Sequence, residues 1–142
     1  MCIRDSIHTV QTTGAHPLER AYHRVAEEAG AVGSERALRD ATTHRSAFMW
    51  PWETEPKSIA HGILDDETYD WREVVAGMLS TGGRPRVVSE ERLAEANELA
   101  RESGFDVDPT GSAGLAGLLD LRADGVIGDG DRVAVLFTGV RR

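Results

Sequence analysis

A threonine and a glycine, Thr138-Gly139, stand directly after the apolar run Arg132-Val-Ala-Val-Leu-Phe137. A short apolar run bounded by turn residues reads as a buried strand, and in open α/β sheets ligands gather at the carboxyl ends of strands. A hydroxyl there can donate to or accept from a ring nitrogen, and a neighbouring glycine lets a ring come close. Standing alone, the pair would be an ordinary strand exit. A second group, Gly111, Gly114 and Gly117, is interleaved with Ser112, Ala113 and Ala116 at a helix start. Each interior glycine costs a helix roughly 1 kcal/mol relative to alanine, so close approach of another surface is the natural compensation. The spacing is not the Gly-x-Gly-x-x-Gly dinucleotide fingerprint and no Walker-type lysine follows, which favours tight helix-to-strand packing over ligand contact.

Other chemistries are poorly served. His8, His16, His23, His44 and His61 fall into no His-x-x-x-His or similar spacing, so no metal site is expected. Ser112 lacks the Gly-x-Ser-x-Gly elbow of a serine hydrolase. Asp65-Asp-Glu-Thr-Tyr-Asp70 lacks the spacing of a calcium loop and reads as carboxylates capping the helix that follows. The only cysteine, Cys2, excludes an internal disulfide and a thiolate zinc site. With 24 acidic against 16 basic side chains, the net charge of −8 repels nucleic acid and acidic membrane surfaces. No apolar run approaches the roughly 20 residues of a membrane span and no signal-peptide pattern opens the chain, so a soluble cytoplasmic protein is expected. Arg141-Arg142 reads as a solvated pair rather than a phosphate clamp.

The elements that must position these residues follow from local pattern. Ile7 to Gln11 alternates like a strand, Thr12-Thr13-Gly14 is a turn, and Pro17 opens a helix with Leu18, Ala21, Val25 and Ala29 at helical spacing. Ser34 to Ala47 fits either an exposed short helix or an ordered insertion, and Phe48-Met-Trp-Pro-Trp52 reads as a loop packed on the body. A helix is expected from Trp71 to about Ser80, closed by Gly82-Gly83, then a short strand at Arg86-Val-Val88. Ser89 begins the next helix with a capping-box pattern and Gly104 ends it as a left-handed cap. The small-residue helix runs from Gly111 to about Asp124, and a Gly128-Asp-Gly130 turn feeds the last strand. Helices alternating with apolar strands, without hairpin signals, predict an α/β fold with a mostly parallel sheet covered by helices on both faces.

The order Gly104-Phe-Asp-Val-Asp-Pro109, small-residue helix, Gly128-Asp-Gly-Asp131 and Val133-Ala-Val-Leu-Phe-Thr-Gly139 resembles the carboxyl-terminal signature of fold-type II pyridoxal-phosphate enzymes, the tryptophan synthase beta-like fold, and threonine synthases most closely. Val10-Gln-Thr-Thr-Gly-Ala-His-Pro-Leu18 and Pro56-Lys-Ser-Ile-Ala-His-Gly62 resemble upstream segments of the same family. The resemblance implies that Thr138 bonds the pyridine nitrogen of pyridoxal 5'-phosphate, that Gly139 gives the ring clearance, and that Asp108 lies near the ring. It also implies a lyase acting on an amino acid by elimination or replacement at the β or γ carbon, with O-phosphohomoserine giving threonine and phosphate, and a homodimer when whole. The family's Schiff-base lysine and glycine-rich phosphate loop have no counterpart here. The one lysine, Lys57, matches a later exposed loop, so no catalytic residue is assigned and the chain by itself is expected to be inactive.

The polar opening Met1 to Ser6 reads as a non-native scar, and residues 7–142 as the carboxyl-terminal portion of the catalytic domain. Two rivals stand beside this reading: another lyase of the same fold, a dehydratase or ammonia-lyase, and a non-enzymatic α/β binding module.

Overall fold

The computed structural model describes residues 5–139. Its elements are β1 (Thr9–Thr12), α1 (Pro17–Val32), α2 (Ser34–Thr43), α3 (Trp71–Thr81), β2 (Pro85–Val88), α4 (Glu90–Glu102) and α5 (Ala113–Ala123). β1 and β2 pair in a parallel sheet of two strands, so the fold class is α/β. The chain forms two compact units. One takes residues up to Thr9 with Ala15–Pro56 and Asp65–Arg86, the other Val10–Gly14, Lys57–Leu64 and the chain from Val87 onward. Residues 1–4 of the expected scar, Cys2 with them, and the pair 141–142 lie outside the described residues.

The first unit is a three-helix cluster. Pro17 sits in the first turn of α1, where its missing N–H costs nothing, and Leu18, Ala21 and Val25 form the buried stripe. The stretch left open by the sequence is a helix, α2, burying only Ala37 and Ala41 at i, i+4 spacing. α3 turns Trp71, Val75 and Met78 into the same core, which Phe48 and Met49 complete. The Phe48–Trp52 segment is thus packed on the body, as expected. Its tryptophans sit at the rim, with the Arg20 guanidinium 3.7 Å from the Trp50 ring centre. One expectation fails: Asp70 stands at the N-cap of α3 without a side-chain capping bond, and Glu67 pairs with Arg45 instead. The reason is backbone geometry, since Asp70 has ψ 36° where a capping side chain needs an extended residue.

The second unit is held by smaller residues. Ser89 is extended, and its Oγ accepts the Arg92 N–H at 3.2 Å, starting α4 as the sequence predicts. α4 ends at Gly104, φ 92°, where the Gly104 and Phe105 N–H groups donate to Arg101 O and Ala100 O. That pair of bonds satisfies carbonyls the helix would otherwise leave open. Val88, Leu93, Ala96, Ala113 and Ala116 make the core. α5 begins at Ala113, so Gly111 belongs to the turn before it.

The last expected strand, Arg132 to Phe137, is not part of the sheet, and Val133 and Leu136 remain 46% and 79% exposed. No other described strand lies alongside to take its backbone hydrogen bonds, and a strand without a ladder has little stability of its own. The sheet is correspondingly narrower than the one the sequence predicts.

Candidate functional site

The site is built in the second unit, where α4 hands over to α5. Asp108 opens the connecting turn: its Oδ1 accepts the Gly111 N–H at 2.7 Å, and its carbonyl accepts both the Ser112 N–H and the Ser112 hydroxyl at 3.1 Å. The carboxylate therefore substitutes for a backbone acceptor in closing the turn. Asn97, midway along α4, donates from Nδ2 to Val107 O at 2.9 Å and to Ser112 Oγ at 3.0 Å. Val107 O can only accept, which fixes the amide nitrogen on that side. Ser112 is fully buried, with its one hydroxyl both accepting from Asn97 and donating to Asp108.

The end of the chain's apolar run is seated on this turn. A Cβ on Gly139 would stand 2.3 Å from Asp108 Oδ1, and one on Gly111 would stand 2.4 Å from Gly139 O. Real Cβ atoms do not come that close to other heavy atoms, so both positions require glycine. Upstream, the Phe137 ring lies 4.9 Å from that of Phe105, and a Cβ on Gly114 would meet Val135 Cγ1 at 3.2 Å. Gly117 faces β1, where a Cβ would fall 2.3 Å from Val10 Cγ2. The small-residue series is thus spent on close packing against the chain itself, the reading its spacing favours.

Of the three residues singled out in the sequence, Asp108 and Gly139 are in direct apposition, and Thr138 adjoins them in the chain. Thr138 is exposed, and among the described residues its hydroxyl has no hydrogen-bond partner. Lys57 is exposed in a loop whose carbonyl packs on Gly14. Sequence reasoning missed Asn97, although a signal was available. A short amide is disfavoured inside a helix, and this one shares the face of Leu93, Ala96 and Ala100.

A separate open cleft of about 410 Å3 follows β2, lined by Thr13, Ser89, Arg92 and Asp120 among others, and it does not include Thr138. Its one guanidinium is bound to Asp120 at 2.7 Å and Glu95 at 2.6 Å, which raise the Arg92 pKa with the Asp120 bond as the largest cause. The cleft therefore offers an incoming anion a cation already neutralised. Among the described residues no three His, Cys, Asp or Glu side chains are grouped to hold a metal, and no helix is long and apolar enough to cross a membrane.

No family model matches the chain. Over 105 residues, 73% of the chain, it is 28% identical to a threonine synthase of Methanocaldococcus jannaschii, covering 26% of that protein. It is 33% identical over 88 residues to a threonine synthase of Methanosarcina acetivorans, covering 22% of it. A threonine synthase of Mycobacterium bovis matches at 32% over 87 residues, with 24% of its length covered. The chain thus spans about a quarter of the length of these relatives. In structure, 96% of the chain superposes on 39% of a threonine deaminase from T.th., with a TM-score of 0.60 and 20% identity.

Proposed function

We propose that this chain, threonine synthase-like in sequence and tryptophan synthase beta-like in fold, is part of a pyridoxal-phosphate-dependent lyase that converts O-phosphohomoserine and water to threonine and phosphate. Sequence similarity to curated threonine synthases supports the reaction class. The observation that carries the chain's own role is the exposed Thr138 hydroxyl, uncommitted among the described residues and adjoining a glycine seated on the Asp108 turn.

The residues fit the cofactor's ring. A neutral hydroxyl can donate to an unprotonated pyridine nitrogen without forcing a charge onto it, unlike a carboxylate. The space freed by Gly139 is filled by the Asp108 carboxylate and the Gly111 backbone, so these two would hold the chain that carries Thr138, with one Asp108 oxygen fixed by the Gly111 N–H. When bound, pyridoxal 5'-phosphate supplies the electron sink for elimination and replacement at the β and γ carbons of an amino acid. The reading requires a covalent lysine and a phosphate-binding loop from elsewhere in the protein, since Lys57 sits in an exposed loop away from these residues in sequence. It further carries a cytoplasmic homodimer.

The test is turnover by the protein that contains this chain. Stoichiometric release of phosphate and threonine from O-phosphohomoserine is expected. Ammonia release from threonine or serine, without phosphate release from O-phosphohomoserine, would transfer the protein to the dehydratases, and no turnover of either with cofactor present would favour a binding module.

A further inference from the structure

We propose that Asn97 is a positioning residue for Thr138, acting through Ser112 and the Asp108 turn; this rests on the reading of Thr138 given above. Two observations carry it. The Asn97 amide ties both sides of the turn at once, Val107 O before Asp108 and Ser112 Oγ after Gly111, with donor distances of 2.9 and 3.0 Å. The surface of that same turn is the floor under Gly139, whose missing Cβ would strike Asp108 Oδ1 and whose backbone leaves no room for a Cβ on Gly111.

The chain of contacts runs from a helix side chain to the site without a gap. Asn97 donates to Ser112 Oγ, the Ser112 hydroxyl donates to Asp108 O, Asp108 Oδ1 accepts from Gly111 N–H, and Gly139 lies on the two. Because Ser112 is fully buried, its hydroxyl has no water to turn to when Asn97 is lost. The hydroxyl then keeps Asp108 O while Val107 O loses its donor, and the turn is released at its first end. Asn97 occupies a partly buried place on a regular helix, so the anchor is rigid and the turn is what moves.

The experiment compares Asn97→Asp and Asn97→Ala with the unaltered chain by amide hydrogen exchange and backbone NMR, with global melting recorded for each. Asp keeps the shape but cannot donate to Val107 O or to Ser112 Oγ, so both variants should speed exchange at Gly111 and Ser112 by about tenfold or more, two donated hydrogen bonds being lost. The resonances of Thr138 and Gly139 should shift with them, while Val75 and Met78 of the other unit stay put. Asn97→His, which retains a ring N–H donor, should restore part of the Gly111 protection. A merely structural Asn97 would lower the melting temperature and leave the Thr138 and Gly139 resonances and the Gly111–Gly139 proximity unchanged, and that outcome overturns the proposal. Should any variant fail to fold, Ser112→Ala cuts the same relay one bond later and is read in the same way. The outcome is independent of turnover: unchanged Thr138 resonances in the Asn97 variants alongside an active enzyme sensitive to Thr138→Ala sink only this inference, whereas a displaced Thr138 in an enzyme indifferent to Thr138→Ala sinks only the role of the hydroxyl.

Discussion

The two units solve the same packing problem with different proportions of large and small residues. The first fills its core with large side chains, Phe48, Met49, Trp71 and Met78, around the buried alanines Ala21, Ala37 and Ala41 of α1 and α2. The second packs alanines from α4 and α5 around Val88 and Leu93, and its turn meets the end of the apolar run backbone to backbone at Gly111 and Gly139, as Ile7 meets Gly83 in the first. Large side chains can shift between rotamers to absorb a change in volume, whereas two touching backbones cannot. A substitution in the large-side-chain core should therefore change stability, whereas one at the Gly111–Gly139 contact should also move the place where Thr138 is held.

Truncation in the side-chain core is the largest expected perturbation. Met78→Ala should cost about 3 kcal/mol, from lost burial and the cavity left behind, read as a drop in the denaturation midpoint with exchange in α1 and α3 speeding most. Gly111→Ala adds a single carbon, yet its Cβ would fall 2.4 Å from Gly139 O, so a cost of roughly 1–3 kcal/mol is expected. It should be accompanied by displacement of Thr138 and Gly139 seen in their resonances, which Met78→Ala should not produce. If Gly111→Ala lowers stability without moving those resonances, the contrast between the regions fails.

The smallest effect is one of pH, and it is shared, since Glu91 of the second unit is also lowered, chiefly by a backbone hydrogen bond. In the first unit Glu53 is lowered from 4.5, chiefly by its bond from the Trp50 indole N–H, and Glu67 is lowered from 4.5, chiefly by its bond from Arg45. A carboxyl whose folded pKa is depressed contributes stability that is complete above its unfolded value and fades as pH falls through the folded one. Through these two groups melting of the first unit should weaken slightly as pH drops below about 4.5, with Glu28, raised by burial and then by Asp40, acting in the opposite direction. Because Glu53 is exposed and Glu67 only partly buried, the change should be small and should shrink further in high salt. Glu53→Gln should remove part of that acid sensitivity, and an unchanged pH profile in that variant would count against the Trp50 bond.

Local chemistry made much of the fold legible. Pro17, Ser89 and Gly104 mark the edges of α1 and α4 because each satisfies or omits a specific backbone group. α2 stayed ambiguous because only two small residues, Ala37 and Ala41, are buried, with Leu38 partly so beside them, too little for periodicity to reveal. The run from Arg132 to Phe137 has a strand's pattern, but pairing depends on neighbours distant in sequence, and pattern alone cannot supply them. Asp70 shows the converse: the right residue type for a cap, in a backbone conformation that prevents it. At the site, resemblance pointed to Asp108, Thr138 and Gly139, while the turn that joins two of them and the Asn97 amide that braces it arise from contacts across 10 to 15 residues.

The central claim is that the Thr138 hydroxyl meets the ring nitrogen of the bound cofactor. The affinity of the protein containing this chain for pyridoxal 5'-phosphate, followed by visible absorbance as a function of pH, tests it most directly when Thr138→Ala is compared with the unaltered protein. Loss of one hydrogen bond should weaken binding about tenfold and shift the pH at which the ring nitrogen titrates. An unchanged affinity together with an unchanged titration would contradict it.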